Sequence, residues 1–187
     1  MSRKTKNTLN SVDDIGYTMD KAKETCIEML TSRGYTNITS NEVSHMIVCN
    51  EEGDQIIVFM EDNAKLNKSM VSKYMTVMNG VGITHCIIVY SDTVTSMTTK
   101  SIDDTFEFEF EVFSKLELQF NITKHRLQPK SFRSLNLKEA ATFKRLYGLK
   151  FAVMRTSDPI ARYYNYKKGD IVEITDRRDL VHYRIVR

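Results

Sequence analysis

With 187 residues, 41% of them hydrophobic and 27% charged, and with only two prolines and seven glycines, the chain has the composition of one or two folded domains. That composition excludes disordered, collagen-like and low-complexity proteins, and apolar runs such as 56–60 and 86–90 fall far short of the roughly 20 residues that a membrane-spanning helix needs. The formal charge of +3 conceals a break: residues 1–120 carry 11 Lys and Arg against 18 Asp and Glu, a net of −7, whereas 121–187 carry 16 against 6, a net of +10.

A break of that kind predicts two units with different partners, an acidic domain over 1–120 and a basic one over 121–187, the smaller of which is still long enough to fold alone. The polar start, 1–10, does not read as a secretory signal. Cys26, Cys49 and Cys86 are widely spaced in apolar surroundings and read as buried thiols in a reducing compartment, not as a disulfide framework.

In the acidic half, Ala22, Cys26, Met29 and Leu30 recur at helical spacing and Gly34 supplies a stop, so a helix is expected over 19–33. Two β-rich runs, 45–50 and 55–60, flank the polar segment Glu51-Glu-Gly-Asp54 and predict a hairpin. Leu66, Met70, Tyr74, Val77 and Met78 mark one face of a second helix ending at Gly80, and 83–90 reads as a strand buried on both faces. After a polar, weakly helical stretch over 91–105, Phe106, Phe108, Phe110 and Val112 alternate with three glutamates, the pattern of a strand with one wet face, and 115–122 resumes that alternation.

In the basic half, Asn136 opens an Asn-x-x-Glu pattern resembling a capping box, and Ala140, Phe143, Leu146 and Tyr147 form an apolar stripe closed by Gly148. A β-like run over 151–155 precedes Asp158-Pro159, an N-cap acceptor followed by proline at the first helical position, which starts a short helix running to about Tyr164. Lys167-Lys-Gly-Asp170 is a tight turn, and 171–174 and 181–186 form a terminal β-hairpin around the charged loop 175–179.

Few residues carry the signature of chemistry. His45, Cys49, His85 and Cys86 could meet only if their strands were neighbours, adjacent His85 and Cys86 point to opposite faces of a strand, and no Cys-x-x-Cys or His-x-x-x-His spacing occurs. The cysteines lie in apolar stripes of an acidic unit, which does not suit a thiolate nucleophile. Gly80-Val-Gly82 precedes a strand and so is not a phosphate loop, and the pairs Asp103-Asp104 and Glu51-Glu52 read as solvated edges. No cofactor, metal or small-molecule substrate is implied. The basic half, with Tyr163, Tyr164, Tyr166 and Tyr183, suits either nucleic acid or an acidic protein surface.

The segment from Asn121 onward resembles the assembly domain of the RNA polymerase subunit known as subunit five in nuclear polymerases, a domain shared with its shorter archaeal counterpart. The resemblance rests on Asn121-Ile-Thr-Lys-His125 with Leu127, Pro129 and Lys130, matching an opening in which a strand leads to a histidine and a leucine-x-proline turn. It continues in Leu146-Tyr-Gly-Leu149, in Ser157-Asp-Pro-Ile-Ala-Arg-Tyr163, in Lys167-Lys-Gly-Asp-Ile-Val172 and in Tyr183-Arg-Ile-Val186, in the family's order. Residues 19–33 with Arg33-Gly-Tyr35 are similar to the first helix of the eukaryotic jaw domain, which archaeal relatives lack. The chain departs from the family in a shorter segment between Leu149 and Ser157 and in a different loop over 175–180, a divergence that suits a homolog from a large DNA virus of the nucleocytoplasmic type.

The resemblance implies an α+β fold: an N-terminal mixed α/β jaw, similar to restriction endonucleases, and a small C-terminal α+β assembly domain with a terminal hairpin. It implies a non-catalytic subunit of a DNA-directed RNA polymerase, with the C-terminal domain docked on the largest subunit through Arg162, Tyr163, Lys167, Lys168, Tyr183 and Arg184 and the jaw beside downstream duplex DNA. Because the jaw is acidic overall, DNA contact there calls for local basic patches, around Lys65, Lys68 and Lys73 or Arg3 to Lys6. The implied location is the nucleus or, for a virus, the host cytoplasmic viral factory and the virion. Two rivals are a free-standing RNA-binding protein built on the basic half and a nuclease; the latter lacks its central signature, since neither Asp-x-Lys nor Glu-x-Lys occurs in the chain.

Overall fold

The computed structural model describes residues 16–41, 45–62, 65–148 and 150–187; the basic cluster Arg3 to Lys6 and Leu149 lie outside them. The chain divides into two compact units, one ending at Phe120 and the other spanning Asn121–Arg187. Among the described residues no helix is long and apolar enough to cross a membrane.

The first unit opens with α1 (Met19–Ser32), started by the Thr18 hydroxyl, which accepts from the backbone N–H of Lys21. Its buried residues are Ala22, Thr25, Cys26, Met29 and Leu30, and Gly34 beyond its end sits at φ +92°, where a side chain would be strained. Five strands follow: β1 (Asn37–Asn41), β2 (His45–Cys49), β3 (Gln55–Glu61), β4 (His85–Tyr90) and β5 (Glu109–Ser114), arranged in that order in one sheet. The first three are antiparallel and β3, β4 and β5 are parallel, with Ile57 opposite Cys86 and Cys86 opposite Phe110. The two parallel crossovers carry α2 (Lys68–Val81) and α3 (Ser96–Asp103).

Side-chain alternation gives the sheet two buried faces. Ile57, Phe59, Cys86 and Ile88 pack with Val71, Tyr74 and Met78 of α2, where the Phe59 and Tyr74 rings stack at 4.2 Å and the Tyr74 hydroxyl donates to Glu61 at 2.5 Å. The opposite face holds Ile56, Val58, Ile87 and Val89, all at most 1% exposed, and is reached from α1 by Arg33, which grips Glu111. Burial of each such aliphatic side chain contributes about 1.5–3 kcal/mol.

Several sequence expectations are corrected. β1, a polar Asn-Ile-Thr-Ser-Asn edge strand, carries no hydrophobic alternation and is not signalled by the sequence. The second helix begins after Leu66, which forms an isolated bridge with Val94, and runs past Gly80 to a left-handed cap at Gly82. Phe106 lies outside β5 and is 96% exposed. Residues 115–122 are turns and the start of a short 3₁₀ helix, Ile122–Lys124, instead of strand: the Ser114 N–H donates to Glu117, and the buried Gln119 amide donates to the carbonyls of Thr18 and Lys115, a closure that replaces ladder bonding.

The second unit is a four-stranded sheet of β6 (Ser131–Ser134), β7 (Val153–Met154), β8 (Ile171–Thr175) and β9 (Val181–Val186), in the order β6-β8-β9-β7. The short edge strand β6 is likewise unsignalled, and the strand expected to open the unit is instead the 3₁₀ turn. The unit's second helix, α5 (Pro159–Tyr163), starts at Asp158, whose carboxylate accepts from the Ile160 N–H, and lies over a core of Met154, Ile160, Ala161, Val172, Ile174 and Val186. Its first, α4 (Leu137–Tyr147), has the expected capping box, with Asn136 accepting from the Glu139 N–H and Glu139 from that of Asn136. The apolar stripe of α4, however, contributes no fully buried residue: Leu146 and Tyr147 are 65% and 68% exposed. The terminal hairpin is present as expected, entered through a turn on Gly169 at φ +99° and closed by Asp176, which accepts from the N–H groups of Arg178 and Leu180.

Candidate functional site

In the first unit Arg33, His85, Glu109 and Glu111 come together in one cluster. Arg33 donates to both Glu111 oxygens at 2.6 and 2.8 Å, and His85 Nε2 lies 2.8 Å from Glu111 and 3.6 Å from Glu109. Burial pushes the Glu111 carboxyl up, but the hydrogen bonds and charges of His85 and Arg33 outweigh it and hold the group below the usual carboxylate range. One donor atom each from His85, Glu109 and Glu111 lies within 4.8 Å of the others, a spacing that would admit a cation, yet the guanidinium already occupies both oxygens of Glu111. The cluster is therefore an internal ion-pair network. The sequence pattern places Glu111 on a wet face; its side chain is 10% exposed.

Cys26 and Cys86 are buried, as expected for structural thiols, whereas Cys49, also expected to be buried, is only half-buried at the end of β2. Burial pushes the Cys26 thiol up to about 12 and raises that of Cys86 as well, which removes the thiolate needed for nucleophilic chemistry. Lys65, Lys68 and Lys73 are all exposed. Lys68 and Lys73 sit about 140° apart around α2, given 3.6 residues per turn, and Lys65 precedes the helix.

The second unit presents two grooves on opposite faces of its sheet. Alternation along β9 directs the neighbours Tyr183 and Arg184 to opposite sides. On the α5 side, a groove of about 340 Å³ has an apolar floor that includes Phe132, Met154, Ile160 and Ile174 and a rim of Asp158, Asp176, His182 and Arg184. Backbone N–H groups of Leu180 and Arg178 hold the Asp176 carboxyl below its usual range, so this rim is charged at neutral pH. On the α4 side, a more open groove of about 450 Å³ is bounded by Phe143, Leu146, Tyr147 and Tyr183 and by Arg133 and Glu173. Here Phe143 packs against Tyr183 at 4.5 Å, the Tyr183 hydroxyl donates to Glu173 at 2.9 Å, and Arg133 bridges Glu173 and Glu139.

The six residues singled out from sequence are thus not one patch. Lys167 and Lys168 open the turn before β8 and are both exposed, and Arg184 is exposed beside the α5-side groove. Arg162 is half-buried on α5. Tyr163 is 3% exposed and its hydroxyl accepts from the Asn121 side chain at 2.9 Å, which makes it a core residue whose ring is not available to a partner. Tyr183 faces the other groove. Sequence reasoning misses Phe132, Asp176 and His182; Asp176-Arg-Arg-Asp179 resembles an ordinary charged loop until the strands bring it beside Asp158.

Comparison with known proteins places both units. Residues 120–186 match the model of the family described as RNA polymerase Rpb5, C-terminal domain. A protein of Invertebrate iridescent virus 6 named as DNA-directed RNA polymerase subunit 454R is 30% identical over 177 residues, covering 86% of this chain and 95% of the relative. The rpabc1 subunit of DNA-directed RNA polymerases I, II and III from Dictyostelium discoideum is 27% identical over 172 residues, covering 81% and 86%, and subunit 5C of the Arabidopsis thaliana RNA polymerase V is 27% identical over 212 residues, covering 96% and 90%. With relatives aligned along both units and the C-terminal motifs in the family's order, the chain belongs to the family of RNA polymerase subunit five.

Proposed function

We infer that the chain works as a non-catalytic subunit of a multisubunit DNA-directed RNA polymerase, held with the other polymerase subunits, while nucleotidyl transfer resides in the two largest. Its C-terminal unit docks on the largest subunit, and its N-terminal unit is a jaw beside the downstream duplex. The observation that carries this reading is the similarity, over 81–96% of this chain, to named polymerase subunits of a virus and of eukaryotes. Physical support comes from the +10 charge of 121–187, which steers the unit toward an acidic surface. Lys168 and Arg184 are exposed for such a contact, and the α5-side groove offers an apolar floor for an anchor residue from the partner. The similarity to an iridescent-virus protein supports a viral factory and virion as the place of work, and the similarity to eukaryotic subunits supports the nucleus.

The test is co-purification. Full-length chain carrying Lys168→Glu and Arg184→Glu is expected to recover the largest polymerase subunit at least tenfold less well than wild type while melting at the same temperature. Undiminished recovery of the largest subunit removes this docking face, and a wild-type chain that emerges with RNA and no polymerase removes the whole reading in favour of a free-standing nucleic-acid binder.

A further inference from the structure

The α4-side groove lies on the sheet face opposite Arg184 and takes no part in the docking proposed through that residue. The helix beside it has only 11 residues, and isolated helices of that length are marginal in water, so most of the stability of such a helix comes from burial of an apolar stripe. Here that burial is incomplete. Phe143 reaches Tyr183 and Phe151, at 4.5 and 5.3 Å, but no residue of α4 is buried, and Leu137, Leu146 and Tyr147 expose 92%, 65% and 68% of their surface. The groove beside Leu146 therefore joins aliphatic and aromatic surface that the unit itself leaves open.

The charges that line the groove are balanced, Arg133 and Lys138 against Glu139 and Glu173, and the surplus beside it is cationic, from Lys144 and Arg145 of α4. Glu139 and Glu173 are both engaged by Arg133, at 2.8 and 3.2 Å. Lys138 and Arg145 are on α4 with Lys144, and none of the three has an acidic partner among the described residues. An occupant that completes this surface needs apolar side chains for the space beside Phe143, Leu146 and Tyr147 and carboxylates for the cationic rim.

We propose that the α4 groove is a second docking surface, taking an acidic amphipathic segment of another polymerase subunit through Leu146 and Tyr147, with Lys138 and Arg145 pairing its carboxylates. The proposal rests on the assignment of the chain as a polymerase subunit and adds to it a separate face with a separate occupant. Two faces would let one small domain join two segments of the assembly.

The experiment incorporates a photo-crosslinking phenylalanine analogue into the full-length chain at position 146, and in parallel at position 168, and maps crosslinks by mass spectrometry in the assembled polymerase. The expected result is a crosslink from 146 to a segment of another subunit rich in Asp and Glu with at least one large apolar residue. In addition, Leu146→Glu should weaken retention of that subunit about tenfold without changing the thermal melt of the free chain, as befits an exposed side chain at an interface. Crosslinks from 168 but none from 146, or from 146 to a basic segment or to nucleic acid, overturn the second surface and leave the subunit assignment intact. Absence of the wild-type chain from the polymerase overturns both.

Discussion

Arg33 and Glu111, 78 residues apart in the chain, form a two-point ion pair at 2.6 and 2.8 Å with side chains only 5% and 10% exposed. The pair ties the end of α1 to β5, and without Arg33 the buried Glu111 carboxylate would be left to His85, at 2.8 Å. A buried pair of this sort is weak evidence of net stabilisation, because desolvation offsets much of the attraction, but removing one partner leaves the other exposed to the full penalty.

Arg33→Ala should therefore destabilise the first unit by about 3–5 kcal/mol, a loss that urea denaturation followed by circular dichroism would read as a lower midpoint with an unchanged slope. Replacing both members, Arg33→Met with Glu111→Leu, should recover most of that loss. A single substitution costing less than about 1 kcal/mol would show that Glu111 is solvated and the pair unimportant.

The same pair sets a pH dependence. Glu111 is held below the usual carboxylate range in the folded state. The contribution of its ionised form is then complete above the unfolded glutamate value of about 4.3 and is lost as pH falls through the lower folded value. Urea midpoints compared between wild type and Glu111→Gln should differ most at neutral pH and converge on acidification below about pH 4. A difference that stays constant from pH 7 to pH 3 would falsify the depressed value.

How much of the fold is legible in the sequence follows from which forces leave a local trace. The helices α1, α2 and α5 and the terminal hairpin announce themselves through 3.6- and 2-residue periods with a cap at Asp158, a stop at Gly34 or a turn at Gly169, although α2 runs past its expected end at Gly80 to Gly82. Edge strands β1 and β6 leave no such trace, since Asn-Ile-Thr-Ser-Asn and Ser-Phe-Arg-Ser face solvent along much of their length and owe their conformation to pairing with β2 and β8. Alternation misleads at 115–122 because Leu118 and Gln119 are buried by a closed turn, and at Glu111 because a charge paired across 78 residues looks like one in water. The candidate docking residues stand out as a motif, but the division of Tyr183 from Arg184 and the burial of Tyr163 depend on sheet pairing that no motif displays.

That division yields a paired prediction. Tyr163→Phe removes the hydroxyl that accepts from Asn121 and should lower the stability of the second unit by about 1 kcal/mol, seen as a fall of a few degrees in its melting temperature. It should leave retention of the largest polymerase subunit unchanged, because the ring is already enclosed. Lys168→Glu with Arg184→Glu should do the reverse, since both side chains are exposed and neither supports the core. If Tyr163→Phe instead releases the largest subunit at an unaltered melting temperature, the tyrosine acts at the interface and its burial in the free chain does not persist in the assembly.

The jaw poses a sharper electrostatic question, because a unit with a net charge of −7 is repelled by duplex DNA unless cations are concentrated locally. Lys65, Lys68 and Lys73 are exposed and are the proposed contacts. Each phosphate neutralised by a lysine adds about 0.9 to the steepness with which affinity falls on a logarithmic salt scale. Polymerase carrying Lys65→Ala, Lys68→Ala and Lys73→Ala together should thus show a shallower salt dependence of downstream-duplex binding, by up to about two, one step from Lys65 and one from whichever of Lys68 and Lys73 faces the duplex. The angular separation of Lys68 and Lys73 around α2 adds a finer expectation: only one of the two can face a single duplex squarely, so one single substitution should move the slope by about one and the other should leave it unchanged. An unaltered slope in the triple variant would place the DNA contact elsewhere on the jaw and leave these three lysines as solvated surface.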